Sequence, residues 1–119
     1  MDDHKALTAF LESCRYMTIA VISEGEPWAV PVHIQRRDGF TTFEWDSHQD
    51  TVHSVAITKH PRVSLSMYRP GGELQQFGFY AIAEVEKVVD LPGGHARYKA
   101  TVKQAWVNDE TFVKRQIEL

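Results

Sequence analysis

Three histidines, His48, His53 and His60, fall within thirteen residues, and imidazoles so close in sequence invite a metal. The spacing argues against one. The stretch has a helical pattern, so His53 and His60 lie two turns apart, about 10 Å along the axis. Zinc ligands each sit about 2.1 Å from a single ion. His48 and His53, five residues apart, are poorly aligned on such a helix. No metal site is expected. The one cysteine, Cys14, falls on the apolar side of an amphipathic stretch and reads as a buried structural thiol. A single cysteine cannot form an intrachain disulfide, which suits a reducing, cytoplasmic setting. No catalytic acid or base stands out.

Charge narrows the partners. The chain carries 13 Lys and Arg against 16 Asp and Glu, a net −3, which does not give the basic footprint of a general nucleic-acid binder. The opening MDDHKALTAF lacks the apolar run of a secretion signal, and no window approaches the roughly 20 apolar residues of a membrane span. Neither nucleic acid nor membrane is an expected partner. A length of 119 residues suits one domain, spanning 1–119, and no repeat or low-complexity linker divides it.

The elements that must position any site follow from periodicity. Ala6, Leu7, Phe10, Leu11 and Cys14 recur at helical spacing, with Asp2 and Asp3 at the favourable end, so residues 3–14 read as a helix. Residues 16–23 are β-branched and read as a strand, 24–27 as a turn, and 28–36 as a second strand. Pro31 inside that strand suggests an edge or a bulge. Arg37-Asp38-Gly39 signals a hairpin into a third strand at 40–45. Ser47 with Asp50 three residues on has a capping-box pattern, predicting a helix from there to about Lys59 with Val52, Val55, Ala56 and Lys59 on one face. His60-Pro61 stops it. Residues 62–68 alternate, with Val63, Leu65 and Met67 inward, and 75–88 form a long strand in which Gly78 marks a bulge or a close approach. Residues 95–107 read as a helix, and 112–119 as a last strand or short helix. The expected fold is mainly β with flanking helices: a six-stranded antiparallel split β-barrel.

Several of these segments resemble the pyridoxamine 5'-phosphate oxidase-like, FMN-binding split barrels. Gly25-x-Pro27-x-x-x-Pro31-Val32 resembles that family's first hairpin. Phe43 to Ser47, then Thr51-x-His53, then His60-Pro61-Arg62-Val63-Ser64-Leu65 resemble its third strand, phosphate-binding turn and fourth strand. Ala81-x-Ala83-Glu84-Val85 resembles its fifth strand. Where the family often places Lys or Arg in the phosphate turn, this chain has Val52 and His53, and it lacks the C-terminal basic motif of the oxidases that act on the vitamin phosphate.

The resemblance implies a flavin cofactor, FMN or alternatively a deazaflavin, and a flavin-dependent oxidoreductase acting on a small molecule. A phosphate needs donors and positive potential, which a helix N-terminus supplies. Here Ser47, Thr51 and a protonated His53 would serve. The flavin ring would lie against Val30, Pro31, Val32 and His33 on one strand and Trp45 and Asp46 on the next. Six strands fill their own interior, so the resemblance places the ring in a groove between two copies of a homodimer, with Trp106 of the partner covering it. Two alternatives remain: a histidine ligating haem, or a dimeric binding or regulatory module that has lost its flavin.

Overall fold

The computed structural model describes residues 3–72, 75–111 and 113–119. Among them the chain forms two helices and eight strands: α1 (Asp3–Ser13), β1 (Tyr16–Ser23), β2 (Glu26–His33), β3 (Arg36–Asp38), β4 (Thr42–His48), α2 (Val52–Lys59), β5 (Arg62–Arg69), β6 (Phe77–Leu91), β7 (His95–Asn108) and β8 (Arg115–Ile117). All pairings are antiparallel, in the order β2-β1-β5-β6-β7-β4-β3. The first half of β7 pairs with β4 and its second half with β8.

Local chemistry sets the turns. Glu24 and Gly25 both adopt positive φ, 52° and 81°, the combination that matches a two-residue hairpin turn to the twist of β1 and β2. The strand expected at 28–36 therefore begins at Glu26 and ends at His33. From there Ile34 N–H donates to the Arg15 carbonyl at 2.8 Å and Gln35 N–H to the Glu44 carbonyl at 2.8 Å, turning the chain toward β4. β2 and β4 approach each other with no ladder between them among the described residues. That gap is the split in the barrel.

The interior is filled by alternate residues, as small barrels require. Phe43 and Trp45 point inward from β4, Met17 and Ile19 from β1, Leu65 and Met67 from β5, and Phe79 from β6. β7 answers with small residues: Ala100 stands opposite Phe43, while Tyr98, opposite Trp45, stacks on its indole at 6.0 Å. Helix α1 closes one end by burying Leu7, Phe10 and Leu11, with Phe10 against Phe77 at 5.0 Å. Its start is stapled to the chain's end, because Arg115 donates to both Asp3 carboxylate oxygens, at 2.9 and 3.2 Å, and to Asp109 at 3.3 Å.

Several expectations are corrected. Among the described residues there are eight strands rather than six. Residues 95–107, expected as a helix, form β7, paired along its length with β6. Ser47 lies in β4, and α2 is capped by Thr51, whose side chain accepts from Ser54 N–H. The buried side of α2 carries His53, Ser54, Ala56 and Ile57, leaving Val52 and Val55 exposed. The register shifts of β6 fall at Ile82/Ala83 and Lys87/Val89, not at Gly78, where a side chain would strike the Asn108 carboxamide and the Tyr80 hydroxyl. The last segment is a strand, as one alternative had it; Asp2 and Phe112 lie outside the described residues.

Candidate functional site

The start of α2 gathers four polar side chains under the end of β4. Thr51 has extended backbone angles, and its Oγ1 lies 3.0 Å from the His48 carbonyl, 2.7 Å from Ser54 Oγ and 3.3 Å from the Ser54 N–H that it caps. His53 is buried, with Nε2 at 3.0 Å from Ser47 Oγ and 3.5 Å from Thr51 Oγ1. The sequence-predicted trio of Ser47, Thr51 and His53 is thus brought together. Ser54, fully buried, completes the cluster and was missed: a serine inside a helix gives no signal until its neighbours are known.

The charge expected on His53 is corrected. Burial pushes its pKa below the ordinary histidine value, so at neutral pH the ring is uncharged and serves Ser47 as a hydrogen-bond partner. The first intrahelical bond runs from Val55 N–H to the Thr51 carbonyl at 3.0 Å, so the N–H groups of Val52 and His53 have no acceptor within the helix.

β2 is an edge strand that comes near α2. Val30 is half-buried and Val32 buried, both facing the core. Pro31 and His33 face outward; the His33 ring stands edge-on to Tyr16 at 5.1 Å, with Nδ1 3.0 Å from Gln35 Nε2. Pro31 has no N–H, which blunts the free edge against pairing with another strand. Trp45 is wholly enclosed, so β4 offers a ligand its backbone there and not the indole. Asp46 faces outward, where Arg97 holds it in a two-bonded pair at 2.8 and 3.1 Å. Trp106 stands on β7, remote from Ser47 along the same sheet, in register with Tyr80 and Gln116.

The outer sheet face divides by charge. One row runs Pro31, Thr18, Ser66, Tyr80, Trp106, Gln116 in hydrogen-bonded register. The next runs Ala29, Ala20, Ser64, Ile82, Gln104. Neither row itself contains a charged residue, and the Lys114 ammonium lies 4.6 Å from the centre of the Tyr80 ring. Toward the far end of β6 and β7 the same side bears Glu44, Lys99 and Glu86 together with the Asp46–Arg97 pair.

Among the described residues no helix is long and apolar enough to cross a membrane. No protein-family model matches the sequence, and no curated protein does. Solved structures match in fold. A haem-binding protein from Mycobacterium smegmatis superposes with a TM-score of 0.82 at 13% identity, over 98% of this chain and 58% of that one. The chain therefore spans a little over half of that protein. A FAD-binding protein from Mesorhizobium loti gives 0.75 at 16% identity, over 92% and 95% of the two chains. A protein related to general stress protein 26, of the pyridoxinephosphate oxidase family, from Clostridium acetobutylicum gives 0.79 at 13%, over 99% and 97%. The chain has the split-barrel fold of these proteins; identities this low carry the fold alone.

Proposed function

We propose that the chain binds a flavin at the split and works as a flavin-dependent oxidoreductase on a small molecule, as a homodimer. The observation that carries this reading is that β2, an edge strand, comes near α2, a helix whose start is rich in donors. The ring lies along β2 and the backbone of β4, and the tail reaches Ser47, Thr51 and the N–H groups of Val52 and His53. FMN fits this division, and a deazaflavin fits the same groove. Such a cofactor supplies the electron chemistry, and the protein supplies position, burial and local dipoles. In this role the chain's residues need hold no proton at a reacting atom.

The uncharged rows of the outer face support a second copy as partner. A sheet face of alanine, serine, threonine and aromatic side chains suits flat packing against itself about a two-fold axis. Such packing shelters a planar ring that one barrel has no interior room to hold. Trp106 lies in this face, where the partner's groove can meet it.

Haem is the second reading, favoured by the fold likeness to a haem-binding protein and by outward-facing His33. The test is reconstitution of purified protein with FMN, a deazaflavin and haem, followed by absorbance, thermal stability and sedimentation. The flavin reading predicts a flavin band, a stabilisation that grows with ligand concentration, and a dimer. A Soret band with no flavin uptake selects haem. A colourless monomer, stabilised by none of the three, refutes both, and a colourless dimer indicates a binding or regulatory module.

A further inference from the structure

We infer that the groove selects its flavin by ring and polyol and draws little affinity from a terminal phosphate, so that riboflavin and FMN bind almost equally well. This rests on the flavin reading above and specifies which flavin chemistry the site distinguishes.

The reason is the charge inventory of the tail end. No Lys or Arg occurs from residue 38 to residue 58, the whole stretch from the β3–β4 turn to the last turn of α2. Val52, the first residue of α2, presents an apolar side chain that is 43% exposed. His53 is 7% exposed and spends Nε2 on Ser47 Oγ at 3.0 Å. Its environment is that of a neutral ring.

Two cations from other elements are already engaged, and Lys59, at the far end of α2, is among the described residues the one cation lining the hollow that holds Val52 and Asp50. Arg97 gives both arms of its fork to Asp46. Lys87 comes within 3.4 Å of Gln49 Oε1 but is held at 2.8 Å by Asp90. Against these stands Asp50, directly before the cap, with a side chain 90% exposed and a charge that repels an anion. What the turn does offer is hydroxyls and two amide N–H groups. Those are partners for the alternating donors and acceptors of a polyol.

The magnitude follows. An anion at an exposed helix N-terminus gains at most about fivefold in affinity, and Asp50 works against even that. A phosphate met by a guanidinium in a partly dry groove gains about tenfold or more. The two cases are separable by direct titration.

The experiment measures riboflavin and FMN binding by quenching of flavin fluorescence, at about 20 mM and about 200 mM salt, where screening differs strongly. The same titrations are run on Val52→Arg, a substitution at an exposed position that leaves the core intact. The wild type is expected to bind the two flavins within about fivefold of each other, with a ratio that salt barely moves. Val52→Arg is expected to tighten FMN relative to riboflavin by about tenfold or more. FMN binding more than about thirtyfold tighter than riboflavin in the wild type overturns the inference, because a cation then meets the phosphate, one from the second copy included. A Val52→Arg ratio equal to wild type overturns it too, since the tail then lies away from α2. Uptake of neither ligand refutes the flavin reading, and the inference falls with it.

Discussion

Replacing Trp45 by phenylalanine sets two terms of similar size against each other. The indole is fully enclosed and stacked on Tyr98 with 21° between the ring planes, and its Nε1–H has no acceptor among the described residues. Phenylalanine removes about 35–40 Å³ of buried ring, which costs about 1 kcal/mol as cavity. Lost transfer of the same atoms costs about 1 kcal/mol more. The substitution also removes a buried donor that lacks a partner, which relieves about 1–3 kcal/mol. The variant is therefore expected within about 1 kcal/mol of wild type, a shift of about 3–5 °C at most for a chain of this size. Trp45→Ala loses the stack and leaves a large void, and should cost about 4 kcal/mol. Guanidinium unfolding followed by far-ultraviolet dichroism compares the three proteins without relying on the tryptophan signal. Flavin affinity of the phenylalanine variant should match wild type, because the ring cannot be reached from the groove. A loss above about 2 kcal/mol in Trp45→Phe would show that the N–H is bonded and the reasoning wrong. A stable variant with tenfold weaker flavin binding would put the indole back in the site.

Arg115→Met removes the clamp on Asp3. Both side chains are about one-third exposed, so solvent screens the pair and the expected loss is about 1 kcal/mol at neutral pH. The Arg115 guanidinium holds the Asp3 carboxyl below its ordinary pKa, so the stabilisation is present above about pH 4 and disappears as pH falls through the folded value. Melting curves near pH 7 and pH 2 check this, and a gap that persists in acid contradicts it. His53 has the opposite chemistry: burial lowers its pKa, so below about pH 6.5 the unfolded chain takes up a proton that the native ring does not. Wild-type stability should therefore fall between about pH 6.5 and the folded value, and His53→Gln should flatten that slope in unfolding titrations. Gly94→Ala places a methyl group 2.8 Å from His48 Nε2 at a residue with φ of 79°. It should cost about 1–3 kcal/mol. Calorimetry of the double variant with His48→Ala should recover the steric part and leave the backbone part.

Much of the fold is legible in the residues because alternation leaves a direct trace. β1 was readable from its β-branched residues, β2 from Val30 and Val32 on one face, and β5 from inward Val63, Leu65 and Met67. β7 was not readable, and the cause is specific. A register shift moves the pairing from Ala83–Val102 to Ile82–Gln104, so Lys103 is passed over. Buried Tyr98, Val102 and Ala105 then fall at i, i+4 and i+7, the spacing of a helix face. The alanines of β7 add to the illusion. They favour helices in isolation, but Ala100 sits in this strand opposite the buried ring of Phe43. The face of α2 was misjudged for a related reason. Polar His53 and Ser54 point inward because Ser47 and Thr51 satisfy them there, a pairing no periodicity encodes.

The residues alone settled α1, β1, β2, β5 and a helix ending at Lys59, the place of a polar turn before that helix, and the shortage of cations around it, since these depend on spacing and composition within short stretches. The tertiary structure decided that Trp45 is core, that His53 is neutral, that β7 is a strand and that β2 faces β4 across an open seam. Each of those depends on which distant side chains exclude water or fill a partner's space, and contacts across the barrel set that.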